Sequence, residues 1–213
     1  MRILIVGAGI GGLAAALALL RDGHDVAVYE QAEQLAELGA GVQISANGAR
    51  VLFALGLEGA LRSVWSEPVG KEIRLWNSGE TWKLFDLGAE SVARYGAPYF
   101  MIHRADLHGV LIDAVRALKP DAIRLGARAT GFDDDGRTVT LHLANGERVS
   151  GDALIGADGV RSRICNILAG DDRPEFTGCT AWRGCTSAHK RRCFLLCANL
   201  ATGLSPRMTN CRR

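Results

Sequence analysis

The pattern that most constrains this chain lies at its N-terminus, from Arg2 to Glu30. Residues 2–6 (RILIV) form a short apolar run, typical of a strand buried on both faces of a parallel sheet. They lead into GAGIGG at residues 7–12, which matches G-x-G-x-x-G. Residues 13–20 are rich in Ala and Leu and predict a helix, and residues 25–30 predict a second strand that ends on an acid. The strand, turn, helix and strand together predict a dinucleotide-binding unit.

Each glycine of this turn has a physical task. Gly7 permits the tight turn, Gly9 lets the backbone approach a pyrophosphate, and Gly12 lets helix and strand pack closely, with Gly11 beside it. The helix N-terminus then offers unpaired N–H groups and its dipole to the phosphates. Glu30 ends the second predicted strand, where a carboxylate can accept the hydroxyls of an adenosine ribose and would repel a 2′-phosphate. The pattern therefore predicts FAD or NAD rather than NADP.

Later segments argue against a plain dehydrogenase. Residues 39–47 (GAGVQISAN) are interpreted as a glycine-rich loop, and residues 72–76 and 81–87 flank a hairpin turn. A helix is predicted from residue 104 to about 118, and strands at 122–125, 128–132 and 137–143. A buried strand then ends in Asp158-Gly159, before a helix with two arginines. The hairpin suggests that a second, β-rich layer interrupts the nucleotide domain.

The order of GAGIGG, Glu30, HRADL at 103–107 and GADGVRSRI at 156–164 resembles the FAD-dependent aromatic hydroxylases. These are single-component flavoprotein monooxygenases, typified by the salicylate and hydroxybenzoate hydroxylases. The resemblance covers residues 1–184, where TAWRG ends the recognisable part. It implies an α/β, Rossmann-like FAD-binding fold with an inserted β-rich portion of a substrate domain at about residues 65–100, truncated at the C-terminus.

The resemblance also implies a set of cofactor-binding residues. Two of these residues have an alternative role that stays open: Asp158 could instead cap a helix, and Arg104 could instead be a surface charge. His103 and His108 are not in the set, and a surface or packing role is expected for both. The set comprises Gly7, Gly9, Gly11 and Gly12 at the pyrophosphate, Glu30 at the ribose, Arg104 near the phosphates and ribityl chain, Ala129 beside the adenine, Asp158 and Gly159 as the motif for FAD and NAD(P)H, and Val42 and Gln43 near the flavin.

The implied activity is hydroxylation of a small phenolic or carboxylated aromatic with NADH or NADPH and O₂. No catalytic base is identified. Family members are nearly twice as long, and a second Gly-Asp flavin motif is missing after residue 171. A non-catalytic FAD- or dinucleotide-binding remnant of a frameshifted gene is therefore the alternative. An NAD-linked dehydrogenase is disfavoured by Asp158-Gly159 and the hairpin.

The last segment, residues 185–213, differs from the rest. It holds 6 of the 25 basic side chains and none of the 23 acidic ones, and 5 of the 6 cysteines lie from Cys179 onward. Three interpretations compete: a zinc site built on cysteines and His189, a basic tail for an acidic partner or a membrane surface, and translation out of frame. The third is favoured, so this tail is expected to be unstructured and no metal is predicted.

Composition excludes further partners. The body before Cys185 has a net negative charge and no basic stripe, so nucleic acid is not expected. No apolar run is long enough to span a bilayer, and the chain starts directly on a strand pattern, so we predict a cytoplasmic protein without membrane segments. The oligomeric state is left open.

Overall fold

The computed structural model describes residues 1–35, 41–170 and 175–178. The described residues divide into two units, the first comprising 1–35, 51–64 and 103–170, and the second 41–50, 65–102 and 175–178. In chain order the elements are β1 (Arg2–Val6), α1 (Ile10–Arg21), β2 (Asp25–Tyr29), β3 (Gly41–Ile44), α2 (Ala46–Ala54), α3 (Glu58–Arg62), β4 (Trp65–Ser66), β5 (Gly70–Arg74), β6 (Thr81–Asp86), α4 (Ala89–Tyr95), β7 (Phe100–His103), α5 (Arg104–Leu118), β8 (Ile123–Arg124), β9 (Ala129–Asp134), β10 (Val139–Leu143), β11 (Arg148–Gly151), β12 (Ala153–Gly156) and α6 (Arg163–Ala169).

A four-stranded sheet with the order β12-β1-β2-β8 forms the centre of the first unit. All three pairings are parallel, and Ile3 of β1 lies opposite Ala153 on one side and Val26 on the other. Leu4 and Ile5 are fully buried, as expected for a central strand covered on both faces. The α/β class and the parallel, Rossmann-like sheet are confirmed.

An antiparallel sheet with the order β11-β10-β9 adjoins this parallel sheet in the same unit. Its inward side chains Leu141 and Val149 form one hydrophobic core with Leu4, Val6 and Ile164. The short helix α6 packs against β9. Core side chains from β1, β10, β11 and α6 therefore hold the two sheets together by burying a shared apolar surface.

Helices α1 and α5 pack against each other in the first unit. The buried stripe of α5 includes Leu107, Leu111 and Val115, at the spacing of one helix face. At the C-terminal end of α5, Lys119 Nζ donates to Asp25 Oδ1 at 2.5 Å and to the Val26 carbonyl at 3.0 Å. The hydrogen bond to Asp25 lowers the pKa of that carboxyl and attaches the end of α5 to β2.

The second unit contains a sheet with the order β3-β7-β4 and the hairpin β5–β6. The predicted hairpin forms around residues 75–80, although β5 ends at Arg74 rather than at residue 76. The prediction of a loop at residues 39–47 is wrong for Gly41–Ile44, which form β3. The pattern missed this strand because it is very short and its partner β7, Phe100–His103, lies far along the chain.

Candidate functional site

A cavity of about 810 Å³ opens in the first unit at the carboxyl ends of β1, β2 and β12. Parallel sheets bind nucleotides at this edge, and the volume is within the range of cofactor pockets. The lining comes from the loop after β1, the end of β2, the start of β9 and the turn before α6: Val6, Gly7, Gly9, Tyr29, Glu30, Gln31, Ala127, Arg128, Ala129, Thr130, Ala157, Asp158, Gly159, Arg161 and Arg163.

Two glycines allow the backbone to pass through the crowded turn beside this cavity. Gly7 has φ of +101°, and a Cβ there would lie 2.3 Å from the Ala157 carbonyl oxygen. A Cβ on Gly12 would lie 2.0 Å from the Gly7 carbonyl oxygen. Gly9 and Gly11 have no heavy atom within 4 Å of a Cβ position. Glycine is therefore required at positions 7 and 12 by the packing of the chain itself, whereas open space lies beside Gly9 and Gly11.

The N-terminus of α1 has no side-chain cap. Gly9 is its N-cap residue, and the first turn of the helix carries no acidic side chain. By contrast, the His103 side chain caps α5 and the Ser162 side chain caps α6. Because the first N–H groups of a helix lack partners within the helix, those of α1 are available to an anion, and the helix dipole favours negative charge there.

Glu30 accepts two backbone hydrogen bonds, one from the glycine loop and one from the chain just after Glu30 itself. Its Oε2 accepts from the Ala8 N–H at 2.8 Å, and its Oε1 accepts from the Ala32 N–H at 2.9 Å. The carboxylate also lines the cavity. Each carboxylate oxygen has a second lone pair, so Glu30 can hold the loop and still accept hydrogen bonds from a ligand.

Asp158 caps α6 from the turn that precedes it. Its Oδ2 accepts from the N–H groups of Arg163 at 2.6 Å and Ile164 at 3.2 Å, and its Oδ1 accepts from the Ser162 hydroxyl at 2.5 Å. Gly159 follows with φ of +81°. The capping role that the sequence left open is present, and the same aspartate lines the cavity.

The charges around the cavity favour an anionic ligand. Arg128, Arg161 and Arg163 line it, and the Arg163 Nε donates to the Thr130 carbonyl at 3.2 Å. The two acidic residues in the lining, Glu30 and Asp158, both accept backbone N–H groups of this chain. Three guanidinium groups beside two such carboxylates give this cavity a net positive charge.

A bidentate ion pair supports the wall beside residues 127–130. Arg124 at the end of β8 donates from both Nη atoms to the two carboxylate oxygens of Glu147, at 2.8 and 2.9 Å. These hydrogen bonds raise the pKa of Arg124 and lower the pKa of Glu147. The Arg124 guanidinium also lies 5.4 Å from the ring centre of Tyr29, which lines the cavity.

The structure places the predicted residues in three groups. Gly11 and Gly12 lie in the first turn of α1, and Arg104 is the first residue of α5. Val42 and Gln43 lie on β3 in the second unit, where Gln43 Oε1 accepts from the Tyr99 hydroxyl and burial raises the pKa of Tyr99. The remaining predicted residues line the cavity: Gly7, Gly9, Glu30, Ala129, Asp158 and Gly159.

The sequence predicted a surface or packing role for His103 and His108, but it did not predict the hydrogen bonds that these two histidines on or beside α5 make. His103 accepts from the Ala105 N–H and caps the helix. His108 is only 5% exposed, and its Nε2 lies 2.6 Å from the Ala8 carbonyl oxygen in the glycine loop. The helical spacing of Leu107, His108 and Leu111 was the available signal, because it places His108 on the buried stripe.

Metal-binding and membrane-spanning features are absent from the part of the chain that the structure describes. There, no group of three His, Cys, Asp or Glu side chains could hold a metal ion. None of the described helices is both long and apolar enough to span a membrane. The cysteines and His189 of the considered zinc site, with the whole segment 185–213, lie outside the described residues.

Comparison with known proteins identifies the family. Residues 1–186 match the family described as FAD binding domain. The chain is 42% identical over 189 residues to 3-amino-4-hydroxybenzoate 2-monooxygenase from Streptomyces platensis, covering 89% of this chain and 47% of that protein. It is 40% identical over 183 residues to 6-hydroxynicotinate 3-monooxygenase from Pseudomonas fluorescens, covering 85% and 46%. The chain thus spans about half the length of the curated relatives it matches.

Solved structures agree with this match. HpxO from Klebsiella pneumoniae, complexed with FAD and uric acid, superimposes with a TM-score of 0.67 at 31% identity, over 78% of this chain and 41% of that one. The tetrameric form of 2-methyl-3-hydroxypyridine-5-carboxylic acid oxygenase gives a TM-score of 0.68 at 31% identity, over 79% and 42%. Because residues 1–186 match this family model and the relatives above are 40–42% identical, the chain belongs to the FAD-binding domain family of the flavoprotein aromatic hydroxylases, of which it represents an N-terminal portion.

Proposed function

We propose that this chain binds FAD through the cavity of its first unit and is the FAD-binding part of a monooxygenase. The substrate class is a small phenolic or carboxylated aromatic, hydroxylated with NADH or NADPH and O₂. The observation that supports it most directly is the uncapped N-terminus of α1, which follows a loop whose Gly7 and Gly9 line a net positive cavity. An uncapped helix N-terminus of this kind fits a diphosphate.

The chain's own residues would divide the work of holding the cofactor. The N–H groups of the α1 first turn would bind the pyrophosphate, and the remaining lone pairs of Glu30 would accept the ribose hydroxyls. The backbone at Ala129, at the start of β9, would border the adenine. Arg104, Asp158 and Gly159, and Val42 and Gln43 on β3, keep the roles that the family resemblance implies. Bound FAD would supply hydride acceptance and oxygen activation, which no amino-acid side chain provides.

The proposal is tested by titrating the purified chain with FAD and following the quenching of flavin fluorescence. FMN, which lacks the adenosine half, is the matched control ligand, and ADP is the competitor. We expect binding near one FAD per chain, displacement by ADP, and FMN binding weaker by about tenfold or more, because FMN lacks the second phosphate and the adenosine that the proposed site would hold. Equal affinities for FMN and FAD would contradict the proposed site.

Turnover is a separate claim, because the chain spans less than half of the relatives it matches. The FAD-loaded chain is supplied with NADH or NADPH and with 3-hydroxybenzoate or 6-hydroxynicotinate, and products are separated by chromatography. A hydroxylated product supports the monooxygenase. Binding of FAD without any product supports the second candidate, a non-catalytic flavin-binding chain. We also propose a cytoplasmic location, consistent with Cys165, a free and exposed thiol.

Glu30→Ala should weaken FAD and ADP binding by about 1–3 kcal/mol. The change removes the acceptor for the Ala8 N–H at 2.8 Å and the carboxylate expected at the ribose. Glu30→Gln is the matched control, because it keeps one oxygen acceptor, and it should lose less than the alanine variant. Isothermal titration with ADP measures both. An ADP affinity unchanged in Glu30→Ala would remove Glu30 from the binding site.

A further inference from the structure

A histidine is buried in an otherwise apolar helix interface. Among the described polar and charged residues, only His108 and Ser91 are buried. Leu107, Leu111 and Ile112 of the same helix are buried beside it in sequence. An imidazole in such a place destabilises the fold unless it finds a hydrogen-bond partner, and a leucine would fill the interface without that requirement.

The partner of His108 is the backbone of the glycine loop, 100 residues earlier in the chain. The His108 Nε2 lies 2.6 Å from the Ala8 carbonyl oxygen. A carbonyl oxygen only accepts, so Nε2 must carry the proton, in the neutral as in the charged imidazole. The contact therefore specifies the tautomer of the ring, with N–H on Nε2.

Ala8 is held from both sides by side chains rather than by secondary structure. Its N–H donates to Glu30 Oε2 at 2.8 Å, and its carbonyl accepts from His108. The first contact fixes the peptide plane between Gly7 and Ala8, and the second fixes the plane between Ala8 and Gly9. In a trans peptide the N–H points opposite to the carbonyl. The Gly9 N–H is therefore directed away from His108, and Gly9 is one of the residues that line the cavity.

We propose that His108 is a positioning residue, which sets the affinity of the loop for a diphosphate by holding the Ala8–Gly9 peptide with its N–H toward the cavity. This inference rests on the proposed function, since the diphosphate is that of the dinucleotide. A donor hydrogen that is already oriented costs the ligand less ordering on binding, which raises affinity without any direct contact between His108 and the ligand.

The test compares three variants of the full chain. His108→Leu removes the donor and keeps an apolar side chain, whereas His108→Gln restores an N–H near the position of Nε2. Leu111→Ala is the matched control, because Leu111 is fully buried on the same helix but its side chain has no hydrogen-bonding group. Dissociation constants are measured for ADP and for adenosine, which lacks the diphosphate.

We expect His108→Leu to weaken ADP binding by about tenfold, the size of one well-placed hydrogen bond, and adenosine binding by less than about twofold. His108→Gln should remain within about threefold of the unaltered chain for both ligands, and Leu111→Ala should leave the ratio of the two constants unchanged. An equal loss for ADP and adenosine in His108→Leu, or no loss at all, would overturn the proposal.

A second measurement needs no ligand and no altered chain. Nitrogen-15 NMR of the ligand-free protein reports the tautomer of His108 and the hydrogen exchange of the Ala8 and Gly9 amides. A proton on Nε2 is expected, and a proton on Nδ1 alone would overturn the proposal even if His108→Leu does not fold. If the unaltered chain binds neither FAD nor ADP while Nε2 is protonated, the proposed function fails and the contact itself stands.

Discussion

Gly12→Ala should lower the free energy of unfolding of the ligand-free chain by about 3 kcal/mol or more, and with it abolish FAD retention. The new Cβ would lie 2.0 Å from the Gly7 carbonyl oxygen and 3.3 Å from the Ala157 Cβ. The first of these contacts is with backbone, so no change of rotamer relieves it. Helix α1 must move away from β1, and its N-terminus then no longer meets the cavity. Urea unfolding and FAD titration measure the two effects.

Gly11→Ala is the matched control for this change. It adds the same methyl group one residue earlier in the same helix turn, where no heavy atom lies within 4 Å. Replacing glycine by alanine inside a helix stabilises it by about 0.5–1 kcal/mol, so this variant should unfold at a higher urea concentration. If both variants unfold at the same urea concentration, α1 and β1 are farther apart in solution than they are in the structure.

Asp158→Ala should cost about 2–3 kcal/mol of the free energy of unfolding. The aspartate accepts two backbone N–H groups of the first turn of α6 and the Ser162 hydroxyl, all of which lose a partner. Because Ile164 of the same turn is buried in the core, fraying of this turn exposes apolar surface as well. The FAD affinity should fall in parallel, since Asp158 lines the cavity.

Two further variants separate capping from ligand binding. Asp158→Asn keeps one oxygen acceptor without the charge and should lose about 1 kcal/mol or less. Ser162→Ala removes the cap on the Cys165 N–H and the hydroxyl that donates to Asp158, but no residue of the cavity lining, so it should destabilise α6 by about 1 kcal/mol and lower FAD affinity less than Asp158→Ala does. An Asp158→Ala chain as stable as the unaltered one would show that the cap is absent in solution.

Local sequence patterns were sufficient to predict the secondary structure of the segment from Arg2 to Tyr29. Its elements β1, α1 and β2 follow each other directly, and their apolar runs and glycines each specify the local backbone. The hairpin β5–β6 could be predicted for the same reason, since its turn lies between its own strands. The strand β9 was predicted to be too short, because the sequence pattern assigned its last residues, Asp133 and Asp134, to a turn. In the structure these residues pair with Thr140 and Val139 of β10.

Contacts between distant segments could not be predicted from local patterns. Nothing in the residues around His108 indicates that its partner is the carbonyl of Ala8. The pairing of Tyr99 with Gln43 joins two distant parts of the chain, and it requires β3, which was predicted as a loop. Glu30 lines the cavity, but its hydrogen bond to the Ala8 N–H of the glycine loop depends on a geometry that spacing alone does not give.

The parallel pairing of β1 with β12 has a consequence for the order of folding. Ile3 lies opposite Ala153, so the central strand gains its second neighbour only when the chain is in place as far as β12. Such a high contact order slows folding, because a long loop must close before the contact stabilises anything. During synthesis β1 and β2 can pair early, yet one edge of β1 stays open to wrong partners until Gly156 has left the ribosome. Refolding of this chain is therefore expected to be slow and prone to aggregation.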